Sequence, residues 1–129
     1  MKKILVVLFL FAGVNCFGQT PAKADIEKAM RGKWDRAQTS SSPKQSITIA
    51  SIKIGSGAIA NVQDKIDGIP PKAKVTIAQI DFTVREYYND KTAVTRRVMN
   101  AKVFKDQFDD WVVMSNGMKS TESSFESKQ

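Results

Sequence analysis

The chain contains no histidine, and its single cysteine, Cys16, lies within the first eighteen of its 129 residues. Without histidine, the commonest metal ligand and the usual general base near neutral pH are absent. Catalysis by a Ser-His-Asp or Cys-His arrangement is therefore excluded. With one cysteine, no intramolecular disulfide can form, so a small domain of this kind depends on its hydrophobic core. No metal or other cofactor is predicted.

The N-terminus has the three consecutive parts of a secretory signal peptide. Two lysines supply the positive charge, residues 4–14 form an uncharged apolar run, and small residues follow. With Cys16 at −3 and Gly18 at −1, cleavage makes Gln19 the mature N-terminus. The apolar run is shorter than the roughly 20 residues of a membrane span, and no later segment approaches that length. We therefore predict export to the periplasm or the medium without a transmembrane segment.

Lipid attachment at Cys16 is the alternative to simple cleavage. A bacterial lipoprotein signal has an aliphatic residue three positions before the cysteine and a small residue directly before it. Gly13 and Asn15 stand at those two positions, so the sequence departs from the pattern at both. The sequence thus favours removal of Cys16 with the signal peptide over a lipid anchor.

Basic residues outnumber acidic residues in the predicted mature chain. Removal of the two N-terminal lysines leaves 18 Lys and Arg against 13 Asp and Glu, a net charge of +5. Such an excess favours solubility and attraction to anionic surfaces. Because the basic residues are spread along the chain and the protein is predicted to be exported, nucleic acid is not a predicted partner.

Hydrophobic spacing predicts one helix followed by a series of strands. Ile26, Met30 and Trp34 recur at helical spacing within residues 22–37, and a Ser-rich loop over residues 38–46 follows. The predicted strands, which alternate and are rich in β-branched residues, are residues 47–54 with a continuation at 58–62, then 75–88, 92–105 and 111–114. Residues 115–129, with five serines, are predicted to be a flexible tail. The predicted domain spans residues 19–114.

The predicted strand from Val75 to Tyr88 alternates most regularly. One face carries Ala78, Ile80, Phe82 and Val84, and the other carries Gln79, Asp81, Thr83 and Arg85. This pattern is typical of an antiparallel sheet with one buried and one solvated face. In the preceding strand, Gly55 and Gly57 predict a bulge or a tight turn. The acidic residues Asp106, Asp109 and Asp110 predict a solvated turn, because they lack the spacing of a calcium-binding loop.

A helix followed by long sequential strands predicts an α+β fold, in which one N-terminal helix packs on a curved antiparallel sheet of four to five strands. The order of elements over residues 22–114 resembles the cystatin-like and NTF2-like folds. The resemblance implies a helix in the concave face of the sheet and, for NTF2-like proteins, a pocket between the two. The Gln-Val-Val-x-Gly loop of cystatin-type inhibitors is absent, so protease inhibition is not implied.

The segment Gly32-Lys33-Trp34 resembles the Gly-x-Trp element that opens the first strand of lipocalins, where the tryptophan closes the floor of the barrel. A small lipocalin-like β-barrel is therefore the alternative fold. A lipocalin barrel needs more strands than the four or five predicted after Trp34. The sequence favours Trp34 as a core residue on the face of a helix.

Asp81 is the one candidate catalytic residue. A carboxylate in an enclosed sheet face can act as a general base, as in isomerases that resemble the NTF2-like fold. Because Asp81 alternates in phase with polar residues, we expect it to face water and to pair with a cross-strand basic residue such as Arg97. The sequence therefore favours a protein that is not an enzyme.

Two larger sets of residues are candidate binding surfaces. The predicted interaction face, for an envelope protein or anionic surface material, consists of Arg85, Arg96, Arg97 and Lys102. Since neighbouring strand residues point to opposite faces, either Arg96 or Arg97 is expected in the concave face or at its rim, where it could hold a carboxylate or phosphate. The candidate lining of a small apolar pocket consists of Trp34, Phe82, Phe104 and Trp111, and core filling is the plainer interpretation of these four.

The sequence thus predicts an exported, non-catalytic binding domain of the cell envelope or the medium. The alternative is a small-molecule carrier or NTF2-like enzyme with a pocket between helix and sheet.

Overall fold

The computed structural model describes residues 19–127 of the chain. Its elements in order are helix α1 (Lys23–Trp34), strand β1 (Lys44–Ile59), helix α2 (Val62–Ile66), strand β2 (Lys74–Tyr87), strand β3 (Lys91–Lys105) and strand β4 (Trp111–Ser127). The predicted signal peptide, including Cys16 and the position before the cleavage site, lies outside the described residues.

The four strands form one antiparallel sheet in the order β1-β2-β3-β4. Each strand pairs with the strand that follows it in the chain, so β1 and β4 are the two edges. The predicted antiparallel sheet is confirmed. The sheet is open, so the lipocalin-like barrel is wrong, and Trp34 ends a helix instead of opening a strand.

Helix α1 begins at a cap formed by Asp25, whose Oδ2 accepts a hydrogen bond of 2.9 Å from the backbone N–H of Ala22. Ile26 and Met30 lie one turn apart and are completely buried. The helix ends at Trp34, three residues before the predicted boundary, because Asp35 already has extended backbone angles. Apart from its chain neighbours and the backbone of its own helix, no described atom lies within 4 Å of the position of a Cβ on Gly32, so close packing against another element does not explain this glycine.

Strand β1 is continuous from Lys44 to Ile59, and the predicted bulge lies within it. The pairing with β2 shifts between Ile54 and Gly57. A Cβ on Gly57 would lie 2.7 Å from the Lys74 side chain, so glycine permits the close approach of the two strands there.

The face of the sheet that packs on α1, termed the helix face, carries the main core. The predicted apolar residues of β2 lie on this face, as the alternation indicated. Its buried cluster, which includes the two buried residues of α1, consists of Ile26, Met30, Ile47, Ile52, Ala78, Ile80, Phe82, Val84, Met99, Ala101, Val103 and Val113.

The opposite face, termed the open face, is covered only near α2. There Ala60, Ile69 and Ala73 from the connection between β1 and β2 pack with Val75 and Phe104 of the sheet. The sequence predicted a plain connection in this region and missed both α2 and this second cluster. Farther along the same face, Gln79 is exposed and Asp81 is partly exposed. A polar surface therefore remains open along most of the sheet.

Strand β4 continues to Ser127, so the prediction of a flexible tail after residue 114 is wrong for residues 115–127. The pairs with β3 extend from Lys105–Trp111 to Lys91–Ser127. Residues 115–126 are mostly polar and are exposed, so backbone pairing orders them without much apolar burial. Gly117 has a φ of 127°, in the left-handed range that glycine adopts readily, beside a register shift in the pairing with β3.

Candidate functional site

The two adjacent arginines of β3 lie on opposite faces of the sheet, as predicted. Arg96 lies opposite Thr83 on the open face, and Arg97 lies opposite Phe82 on the helix face. The predicted interaction face therefore loses Arg97. The alternation required this separation, but which arginine lies on which face depends on the register between β2 and β3.

Asp81 is bound by Arg96 instead of Arg97. Nε and Nη2 of Arg96 donate hydrogen bonds of 3.1 and 2.7 Å to Oδ1 and Oδ2 of Asp81. This bidentate, charge-assisted geometry is a strong form of ion pair. The hydrogen bonds from Arg96 lower the pKa of the Asp81 carboxyl below its ordinary value of 3.8 and raise the pKa of the Arg96 guanidinium.

The environment of Asp81 does not suit a general base. A carboxylate that accepts protons near neutral pH needs a raised pKa, whereas the pKa of Asp81 is lowered. Both of its oxygens already accept hydrogen bonds from Arg96. The geometry therefore gives no support to the candidate catalytic role of this residue.

Lys102 lies on the open face, but its charge is already neutralised. Its Nζ donates a hydrogen bond of 2.7 Å to Oδ1 of Asp64, and the two side chains are 18% and 6% exposed. Oδ2 of Asp64 accepts from the backbone N–H of Asn61 at 3.0 Å. The hydrogen bonds from Lys102 and Asn61 lower the pKa of Asp64. The ion pair fastens α2 to β3, so Lys102 is a structural residue.

These two ion pairs are expected to make folding sensitive to acid. A carboxyl with a lowered folded-state pKa stabilises the fold above its unfolded pKa, and this stabilisation is lost as the pH falls through the folded pKa. For Asp64 and Asp81 the loss begins near pH 3.8 and continues below it. Thermal unfolding across this range is expected to show a smaller acid-induced fall in Tm for Asp81→Asn and Arg96→Met than for the unmodified protein. Equal falls for all three proteins contradict the assignment.

Basic side chains other than the predicted ones complete the open face. Lys53 pairs with Gln79 on β2, and Lys119 pairs with Val98 on β3; both are exposed. Arg85 lies on the same face and donates a hydrogen bond of 3.2 Å to Oγ1 of Thr48. Lys53 was not predicted because a register shift between Ile49 and Ser51 changes the phase of β1. Lys119 was not predicted because it lay in the predicted tail.

The four residues predicted to line a pocket fall into two separate clusters. The rings of Trp34 and Phe82 contact each other edge to face at 5.3 Å, and Trp111 packs at the margin of the same cluster. Phe104 lies in the separate cluster on the open face. Between α1 and the sheet, the buried residues Ile26 and Phe82 have no exposed surface. Core filling is therefore the interpretation that the geometry supports for Trp34, Phe82 and Trp111.

A shallow groove lies on the open face between the bulge of β1 and α2. It has a volume of about 170 Å³, and its walls include Ile59, Ile77 and the Asp64–Lys102 pair. Ile59 and Ile77 are 63% and 43% exposed. Asp64 in its wall binds both Asn61 and Lys102, so these polar groups already have partners within the protein. Sequence reasoning gave no indication of it.

Between residues 19 and 127, no cluster of three acidic side chains is placed to bind a metal ion, and no helix is long and apolar enough to cross a membrane. In the acidic turn, Asp106 accepts hydrogen bonds from the backbone N–H groups of Phe108 and Asp110. Comparison of the chain with protein-family models, curated proteins and solved structures found no significant match.

Proposed function

We propose that the chain is an exported, non-catalytic binding domain of α+β type that contacts its partner through the open face of the sheet. The observation that supports this most is a long two-faced sheet with one face packed against α1 and the other exposing charged and polar side chains. A surface of this kind has the area for a partner and lacks an activated catalytic group. The lowered pKa of Asp81 agrees with this proposal.

Anionic surface material is the partner class that the charges of the open face favour. Lys53 and Lys119 are exposed there, and Arg85 makes only a neutral hydrogen bond among the contacts described. Exposed positive charges on one face attract an anionic polymer and raise its rate of association. The bidentate pair of Asp81 and Arg96 holds the middle of the face in one conformation, which limits the entropy lost on binding. An acidic patch on an envelope protein presents related chemistry.

Retention on immobilised dextran sulfate tests this proposal. The double variant Lys53→Glu/Arg85→Glu is expected to bind at least about tenfold more weakly, because charge reversal places repulsion at the contact itself. The matched control Lys23→Glu/Lys28→Glu changes the net charge equally, and both residues are exposed on α1. Screening over about 8–10 Å at physiological salt limits the effect of the control. Equal weakening by both variants, or none by the first, contradicts a role for the open face.

A further inference from the structure

Two neighbouring side chains on the helix face each contain a buried hydrogen-bond donor without an acceptor among the described residues. Nε1 of Trp34 and Nε of Arg97 are both shielded from solvent, and neither donates to any group in the part of the chain that the structure describes. The guanidinium carbon of Arg97 lies 5.5 Å from the centre of the Trp34 ring. Buried donors without acceptors are rare in folded proteins because each loses its hydrogen bonds to water.

Arg97 also lacks a counterion. Among residues 19–127, the ion pairs of the structure do not include it. Among the described residues, its guanidinium donates to Sδ of Met118, which lies 3.6 Å from Nη1. A thioether sulfur is a weak acceptor. The neighbouring Arg96 binds a carboxylate in bidentate fashion, so the same kind of side chain, one residue away, is fully satisfied.

The surroundings of Arg97 combine this unmatched charge with apolar surface. Met118 is 38% exposed and lies on an edge strand, so its side chain can move aside. Trp34 is the last residue of α1, so the helix stops beside Arg97. Farther along the helix face, Phe125 is 67% exposed on β4. A molecule that binds here therefore contacts the Arg97 cation and the Met118 thioether beside the Trp34 ring.

We propose that Arg97 and Trp34 form a binding site for the carboxylate of a small molecule with an apolar body, and that Met118 occupies the position of the carboxylate when the site is empty. Exchange of a sulfur for an anionic oxygen gives the guanidinium a charge-assisted hydrogen bond. One guanidinium balances the single charge of a carboxylate, whereas a phosphate group carries up to two charges. The site lies on the opposite face from the surface of the proposed function and does not depend on it.

Fluorescence of Trp34 tests the site directly. Trp34 and Trp111 are the two tryptophans of the chain, so the Trp111→Phe variant reports on Trp34 alone. Addition of benzoate is expected to change its emission in a saturable way, with half-saturation at about 1–10 mM, as expected for so small a ligand. Benzamide, which has the same shape without the charge, and inorganic phosphate are expected to bind at least about tenfold more weakly.

Variants in the Trp111→Phe background identify the residue responsible. Arg97→Met is expected to weaken benzoate binding at least about tenfold, while Lys28→Met at an exposed position of α1 leaves it unchanged. If Arg97→Met does not fold, Arg97→Lys serves instead. It keeps the positive charge but lacks the planar guanidinium with its paired N–H donors, and it is expected to bind benzoate several-fold more weakly. No saturable change with benzoate overturns the proposal. Binding of benzamide or phosphate as tightly as benzoate also overturns it. Unweakened benzoate binding by a folded Arg97 variant does the same.

Discussion

Replacement of Phe82 by alanine is expected to lower the free energy of unfolding by about 3–5 kcal/mol. Phe82 has no exposed surface and contacts Trp34 edge to face at 5.3 Å. The substitution removes a buried ring and leaves a cavity between α1 and the sheet that neighbouring side chains fill only in part. For a domain of this size, the expected fall in Tm exceeds about 12 °C.

The chain offers a matched control for this substitution. Phe108, in the turn between β3 and β4, is 74% exposed, so Phe108→Ala is expected to change the free energy of unfolding by less than about 0.5 kcal/mol. Chemical denaturation of both variants measures the difference. Similar losses at the two positions contradict the assignment of Phe82 to the core. If Phe82→Ala fails to fold, Phe82→Leu retains most of the volume and is expected to cost about 1 kcal/mol.

Deletion of residues 115–129 is expected to expose one edge of β3. In the full chain β3 pairs with β2 on one side and with β4 on the other. Without the second half of β4, every other amide in residues 91–99 loses its acceptor. Hydrogen exchange at those amides is expected to accelerate at least about tenfold, which corresponds to about 1.4 kcal/mol of lost protection. Amides of the same strand that donate to β2 are expected to change less.

A chain that ends at Ser127 is the control for this deletion, because it keeps every pair between β3 and β4. Its exchange pattern is expected to match that of the full chain. If residues 115–127 exchange at unprotected rates in the full protein, the segment is a tail after all. Unchanged protection of β3 after the deletion leads to the same conclusion.

The order and the faces of the central elements followed from local patterns. The alternation between Ala78 and Arg85 correctly separated the buried residues of β2 from its polar residues. The spacing of Ile26 and Met30 identified the buried side of α1. These predictions succeed because the periods of helix and strand are properties of the backbone and appear directly in the sequence.

The partners within the candidate sites did not follow from such patterns. Asp81 binds Arg96 and not Arg97, since the register between two strands decides which cross-strand residue lies within reach. Lys102 binds Asp64, which is 38 residues away in the chain, because a short helix returns to the open face. No local pattern contains either piece of information.

The C-terminal strand is a second case in which local sequence patterns were insufficient. Residues 115–127 lack the apolar residues that predict a strand, and composition therefore indicated disorder. In the structure they are ordered by backbone hydrogen bonds to β3, which is itself held in place by β2. An edge strand can depend on an existing template instead of on its own burial, and the template exists only after the sheet has formed.

The sequence alone determined that this protein lacks histidine chemistry, has one two-faced antiparallel sheet, and separates its two adjacent arginines. Only the tertiary structure decided that Arg97 lies against Trp34 without an acidic partner among residues 19–127, while Arg96 is neutralised by Asp81. The physical reason is that periodicity assigns a side chain to a face within one element. Which residues are its neighbours on that face depends on the strand register and on the residue at which a helix ends. Packing across the whole domain determines both.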